Sequence, residues 1–291
     1  MLYRRISRRA FVLSAGAAIA SPTVLHAREA GLRFAVGPFL PTQSDTRKAF
    51  EPFFRHVAEG LGRPYELVVT NDWAGIAVAL ANGQVDLAWM GPWGYVLAHH
   101  QGGGKAIATV RYDGSPFYHA IILARPGLAF TSWPEDAKGL RISFADVGST
   151  SGWLIPTHYF RSQGIEPKKF FQYRDGASHA ANVTAVANGH TDLATDFDRN
   201  FNAMAERGLV KRDEVKVVWR SEPLPNDPLV VRSGFDPMMT ARIRTIVTSI
   251  TEEQARTIMP PRYTGWVEGD HEAYRLIETA GVAIGRLRPK S

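Results

Sequence analysis

Phe144-Ala145-Asp146-Val147-Gly148-Ser149-Thr150-Ser151-Gly152-Trp153-Leu154-Ile155-Pro156 reads as a strand end, a tight loop and a helix start in quick succession. The apolar run Leu140–Phe144 predicts a short strand, and the segment after Gly152 is apolar at helical spacing. Three hydroxyl side chains between glycines bring O–H donors and free backbone N–H groups to one point. The first N–H groups of a helix have no partner within it and carry the positive end of its dipole, so they attract anions. Glycine on both sides lets backbone approach a ligand closely. The loop holds no lysine or arginine. It therefore reads as a seat for a small oxyanion held by neutral donors. The competing reading is plain helix capping, for which Ser and Thr are ordinary. Two enzymatic readings fail on spacing: a nucleophile elbow needs serine where Thr150 stands, and a P-loop needs Lys where Trp153 follows Gly152.

Working outward, 291 residues suffice for two lobes with separate cores, and 45% hydrophobic content excludes wholesale disorder. There are no cysteines, so disulfides and thiolate metal sites are excluded. Arg4, Arg5, Arg8 and Arg9 precede the apolar run Ala10–Ala20, which is too short to span a bilayer and ends at Ser21-Pro22. Ser7-Arg8-Arg9-Ala10-Phe11-Val12-Leu13 resembles the twin-arginine export signal of bacteria. Residues 1–27 are thus expected to be an export signal. Their loss removes four arginines and no acid, lowering the net charge from +6 to +2. No basic cluster in the remainder argues for nucleic acid.

Along the chain, Leu32–Gly37, Tyr65–Thr70 and Val85–Met90 predict strands, separated by helices over Thr46–Leu61 and Trp73–Ala81. This alternation specifies a parallel, helix-covered sheet, whose ligands sit at the carboxyl ends of strands. The second half repeats it. Strand 140–144 is followed by a helix to Ser162, a strand Phe170–Tyr173, a helix from Ser178 or His179, a strand Asp192–Thr195, a helix Arg199–Arg207 and a strand Val215–Trp219. Ala79-Leu-Ala-Asn-Gly-Gln-Val-Asp-Leu-Ala88 is echoed by Ala185-Val-Ala-Asn-Gly-His-Thr-Asp-Leu-Ala194. Leu229–Arg232 reads as a return crossing, with helix expected over 237–258 and 270–281. The division expected is lobe 1 at 28–123, joined again by 232–291, and lobe 2 at 124–231. Trp93 and Tyr95, in the Gly91–Tyr95 loop at a strand end, are expected to line the cleft.

Gly148-Ser-Thr-Ser-Gly152 with Pro156, Gly176-Ala-Ser-His179, Pro225-Asn-Asp-Pro228 with Arg232, and Gly91-Pro92 with Tyr95 form an ordered set. Together they resemble the phosphonate, phosphite and phosphate substrate-binding proteins of bacterial ABC importers. The resemblance implies a type II periplasmic-binding-protein fold, two α/β lobes joined by a two-segment hinge with the ligand cleft between them. It implies a periplasmic, non-enzymatic monomer with no cofactor, serving an ABC transporter permease. By resemblance Ser149, Thr150 and Ser151 match the oxyanion cradle, His179 a histidine on the phosphonate oxygens, and Tyr118 a cleft tyrosine. Asp227 matches an acid that helps hold a ligand amine. Two positions depart: Trp73 stands for a more usual tyrosine, and Arg199 for the glutamate of aminoethylphosphonate binders. A sensor subunit for a membrane signalling protein, or an enzyme on the same fold, are the alternatives. The sequence offers no nucleophile–base pair for the latter.

Fused to a reporter, residues 1–27 should direct export, and replacing Arg8 and Arg9 together by lysine should stop it. Undiminished export of that double variant would remove the twin-arginine assignment.

Overall fold

Asp86 and Asp192, the acids of the two echoed decapeptides, hold equivalent places in two separate sheets. The computed structural model describes residues 31–40 and 42–288; the export signal expected over 1–27 lies outside the described residues. The chain opens with β1 (Leu32–Val36), α1 (Gln43–Leu61), β2 (Tyr65–Val69), α2 (Trp73–Ala81), β3 (Leu87–Trp89), α3 (Pro92–Gly102) and β4 (Lys105–Tyr112). A two-residue strand, β5 (Phe117–Tyr118), leads to β6 (Ala120–Ala124) and β7 (Arg141–Ala145). A π-helical turn, Thr150–Leu154, then runs into α4 (Ile155–Ser162). The chain continues through α5 (Pro167–Phe170), β8 (Gln172–Ala177), α6 (His179–Ala187), β9 (Leu193–Phe197), α7 (Asp198–Glu206) and β10 (Lys216–Arg220). It returns through β11 (Leu224–Pro225) to β12 (Pro228–Val231), α8 (Pro237–Thr248), α9 (Glu252–Ile258), β13 (Tyr263–Glu268) and α10 (Arg275–Ala283).

The first lobe is a six-stranded sheet in the order β13-β4-β12-β3-β1-β2, and the second a five-stranded sheet in the order β10-β6-β9-β7-β8. In each, a parallel three-strand unit (β2-β1-β3 and β8-β7-β9) is flanked by an antiparallel returning strand, β12 or β6. Between the sheets, β5 and β11 pair as an antiparallel ribbon, Tyr118 opposite Leu224. These are the two crossings of the hinge. In the first lobe Trp89 packs edge-on against Phe50, Phe53, Tyr263 and Trp266. α1 turns Phe50, Phe53, Phe54, Val57 and Leu61 inward at helical spacing, started by the Thr42 cap and ended at Gly62 with φ 68°.

The crossings fall earlier than 123/124 and 231/232. Ala120–Ala124 is an interior strand of the second sheet, and Pro228–Val231 lies between β3 and β4 of the first. The apolar run 120–124 is fully buried because it is a core strand, and the chain changes lobe before it. Other expectations shift as well. Residues 167–170 form a helical turn, and the strand expected at Phe170–Tyr173 runs from Gln172 to Ala177, a polar edge strand without apolar alternation. The helix expected over 237–258 breaks at Ser249–Thr251, where Thr251 and Gln254 form a capping box. The strands β4 and β13 were absent from the expected order. Among the described residues no helix is long and apolar enough to cross a membrane.

The echoed decapeptides do more than turn helix into strand. Asp86 accepts from the backbone N–H of Arg33 (2.9 Å), from its Nε (3.1 Å) and Nη2 (2.9 Å), and from Arg232 Nε (2.7 Å). Asp192 accepts from the N–H of Arg141 (3.0 Å), its Nε (3.0 Å) and Nη2 (3.0 Å), and Arg125 Nε (2.8 Å). In each lobe one carboxylate thus joins the start of the first strand, the start of the third and the end of the returning strand. Hydrogen bonds from Arg141 hold the Asp192 carboxyl below the usual carboxylate range, against the opposing effect of burial. For Asp86, burial opposes the charge and the bonds from Arg33 and Arg232 outweigh it.

Because the folded-state pKa of Asp192 is depressed, its contribution is whole above the unfolded value of about 4 and is lost as pH falls through the folded value. Asp192→Asn should cost about 1.5–3 kcal/mol at neutral pH, the range for hydrogen bonds to a charged group. In urea unfolding the gap to the parent protein should narrow on acidification. A gap that stays constant down to about pH 3 would mean that the Asp192 charge contributes nothing.

Candidate functional site

Helix starts from both lobes converge on one cavity of about 770 Å3 between the sheets. Its lining includes the first residues of α2 (Asp72, Trp73) and α3 (Gly91, Pro92) from one lobe. The other contributes the starts of the π turn (Ser149–Ser151), α6 (Ser178, His179) and α7 (Arg199). Each start presents N–H groups that its helix cannot satisfy, at the positive end of its dipole. Capping side chains take up part of these donors: Asp72 binds Gly75 N–H at 2.6 Å and Ser178 binds Ala181 N–H at 3.2 Å.

The seat lies where β7 turns into the π turn. Ser149 Oγ accepts from Gly152 N–H (3.1 Å) and lies 3.0 Å from His179 Nε2. On the far side of the ring, Nδ1 is 3.0 Å from Oδ1 of Asp196, a fully buried carboxylate that also accepts from Asn200 Nδ2 at 3.0 Å. A carboxylate can only accept here, so the ring proton sits on Nδ1 and the Nε2 edge faces Ser149. Gly152 is required for this approach, since a Cβ there would stand 2.8 Å from His179 Cε1 and 2.3 Å from Ala145 Cβ. Thr150 Oγ1 accepts from Trp93 N–H of the other lobe at 2.8 Å. Tyr118, itself buried, faces the hydroxyls of Thr150 and Ser151.

The lobes are closed on one another around the cavity. Besides the Trp93–Thr150 bond, Gly148 packs so tightly on Trp73 and Ala74 that a Cβ would come within 2.7 Å of Ala74 N. Arg161 Nη1 donates to the Ile284 carbonyl across the other rim at 2.8 Å. Burial pushes the carboxyls of Asp146, Asp196 and Asp227 above their ordinary range, against the pull of His179 on the first two and of Arg199 on the third. Burial also pushes the Tyr118 phenol up, so it stays protonated and able to donate.

Of the residues that the sequence pointed to, Trp73, Tyr118, Ser149, Thr150, Ser151, His179, Arg199 and Asp227 all line this cavity. Tyr95 does not. It lies one turn into α3, fully buried, with its hydroxyl 3.0 Å from His271 Nδ1 and its ring against Tyr274. Trp93 likewise turns its indole into the core, against Gly281, and only its backbone N–H serves the site. The loop expected at Gly91–Tyr95 is the first turn of a helix, which points these side chains away from the cavity. The absence of a base beside a hydroxyl is also corrected, because Ser149, His179 and Asp196 stand in line. Asp196 and Asn200 are site residues that the sequence did not single out. The only signal was an acid following the apolar strand segment Leu193–Thr195. Among the described residues no group of three or more His, Cys, Asp and Glu has the arrangement to hold a metal ion.

Comparison with known proteins places this architecture. A family model for the periplasmic substrate-binding protein of phosphonate ABC transporters matches residues 38–274. The phosphonates-binding periplasmic protein of Escherichia coli is 28% identical over 219 residues, covering 74% of this chain and 64% of that protein. The chain thus spans somewhat less than two thirds of that relative's length. The phosphate-import protein PhnD of Mycolicibacterium smegmatis is 27% identical over 238 residues, covering 78% of this chain and 73% of that protein. Among solved structures, a binding protein of a Pseudomonas aeruginosa ABC phosphonate transporter superposes with a TM-score of 0.76 at 24% identity, over 86% of this chain and 85% of that one. A Prochlorococcus marinus protein in complex with methylphosphonate also gives 0.76, at 17% identity, over 88% and 98%. At these identities the superpositions speak for the fold alone, whereas the family model spans most of the chain, and by that match the chain belongs to the family of periplasmic substrate-binding proteins of phosphonate ABC transporters.

Proposed function

We propose that this protein captures a phosphorus oxyanion, a phosphonate, phosphite or phosphate, between its lobes in the periplasm and presents the closed form to an ABC importer. The observation that carries the reading is the convergence of five helix starts and the hydroxyls of Ser149, Thr150, Ser151 and Tyr118 on one interlobe cavity. Such donors bind an oxyanion without a fixed countercharge in the seat, and both lobes contribute, so ligand contacts are complete only on closure. The bond from Trp93 N–H to Thr150 Oγ1 links ligand loop and opposite lobe directly. With its ring proton on Nδ1 toward Asp196, His179 accepts the Ser149 proton at Nε2 and fixes the direction of that hydroxyl.

One observation favours a second reading, an enzyme. Ser149, His179 and Asp196 have the spacing of a nucleophile, a base and an orienting acid. Against it, Ser149 Oγ caps the π turn by accepting from Gly152 N–H, which draws on the electron density that an attack requires. Incubation with methylphosphonate or p-nitrophenyl phosphate and analysis for released products separates the readings; recovery of intact ligand is expected.

Ser149→Ala and Thr150→Ala should each weaken methylphosphonate binding by about 1.5–3 kcal/mol in calorimetry, the value of a hydrogen bond to a charged group. Thermal stability should fall little, since loss of a helix cap costs about 1 kcal/mol. Unchanged affinity in both would leave only capping. His179→Ala, which removes the imidazole from beside Ser149, should weaken methylphosphonate binding by a similar amount, about 1.5–3 kcal/mol. Affinity equal to that of the parent protein would remove the histidine from the seat.

A further inference from the structure

The hinge end of the cavity is built around a positive charge that the protein supplies itself. Arg199 enters it from the first turn of α7. Its guanidinium carbon lies 4.7 Å from the ring centre of Tyr118, 4.9 Å from Tyr112, 5.5 Å from Phe197 and 6.0 Å from Tyr263. Tyr112 and Tyr263 belong to one lobe, Phe197 to the other, and Tyr118 to the hinge ribbon. Nη2 stands 3.6 Å from Asp227 Oδ2, with the two side chains 11% and 6% exposed. Nε and Nη1 of Arg199 and Oδ2 of Asp227 are buried without a hydrogen-bond partner. Asp198, the neighbouring acid, is engaged elsewhere, by Arg220 at 2.7 Å and by the N–H of His119 at 3.2 Å. Aromatic faces closed by one carboxylate are how proteins recognise an ammonium group. Here that cage is already filled, by a side chain of the same chain.

We propose that Arg199 takes the place of a ligand ammonium group, so that the cleft accepts phosphonates with an uncharged substituent, phosphite or phosphate, and rejects aminoalkylphosphonates. This rests on the reading of the cleft as an oxyanion site and narrows its ligand class. An incoming ammonium would compete with the guanidinium for the same rings and for Asp227, and would meet a like charge in a cleft of low dielectric. The guanidinium cannot yield by losing its proton. Removing it leaves a caged carboxylate without its cation, a costly state that a ligand ammonium relieves. The arrangement therefore predicts a gain of binding on deletion, which a merely structural arginine does not.

The test is calorimetry of the parent protein, Arg199→Ala and Arg199→Lys with methylphosphonate, phosphite, phosphate and 2-aminoethylphosphonate. The parent should bind at least one of the first three and should bind 2-aminoethylphosphonate about ten-fold or more weaker than methylphosphonate, as a partly offset like-charge repulsion implies. Arg199→Lys keeps the charge and should keep the rejection. Arg199→Ala should shift the ratio toward the amine by about ten-fold. Should that variant fail to fold, Arg199→Met with Asp227→Asn removes both charges together, and its ratio should approach one. Equal binding of amine and methylphosphonate by the parent, or a ratio that neither deletion moves, overturns the proposal while leaving the oxyanion site intact. Failure of the parent to bind any of the four overturns the oxyanion reading itself, and the selector with it.

Discussion

The N–H groups at a helix start have nowhere to go within the helix, and this protein puts five such starts around one cavity. Everything else in the architecture follows from holding them there. Parallel strands all deliver their carboxyl ends to the same edge, so the helices that follow begin at that edge. Two sheets set edge to edge then double the number of donors and place them on opposite sides of a ligand. An anion in this position would draw on donors of both lobes, and its capture would then be linked to closure.

The donors are held in register by the two Arg–Asp–Arg arrangements. Asp86 and Asp192 sit at the far ends of β3 and β9 from the cavity and fix how those strands enter their sheets. A strand that slips by one residue turns every side chain to the opposite face, so register at the closed end sets orientation at the open end. Stability and function are thereby divided along each strand. The Arg–Asp–Arg arrangements lie at the amino ends, and the residues that line the cavity, Ser149, His179 and Arg199 among them, follow the carboxyl ends.

Ser149, His179 and Asp196 show how little geometry alone separates binding from catalysis. Both need a hydroxyl held by an imidazole whose second nitrogen is fixed by a buried acid. In this cleft the serine oxygen is tied into the helix start, and the imidazole is held between that serine and the buried acid. The same buried carboxylate that would orient a base here orients an acceptor for the Ser149 hydroxyl. Aromatic rings around Arg199 then hold its guanidinium at the hinge end of the cavity.

Sequence alone established the alternation of strand and helix, the glycine-flanked hydroxyl loop and the echo of Asp86 by Asp192. Each of these is written in local chemistry: periodicity, turn residues and capping. It also singled out eight residues that the fold brings to one cavity across stretches as distant as Trp73 and Asp227. Tertiary structure decided the rest, because the outcome depended on partners remote in the chain. Tyr95 and Trp93 look like cleft aromatics until the helix that begins at Pro92 turns them into the core. Ala120–Ala124 looks like a link until its pairing with β9 makes it a core strand. Asp196 is an acid of no special spacing, and it gains its role only because β9 ends beside the first turn of α6. Arg199 could have faced water; four rings from three parts of the chain and the Asp227 carboxylate hold it in the cleft. A local pattern specifies which element a residue joins, but the face it presents and the charge it meets are set by what the other elements pack against it.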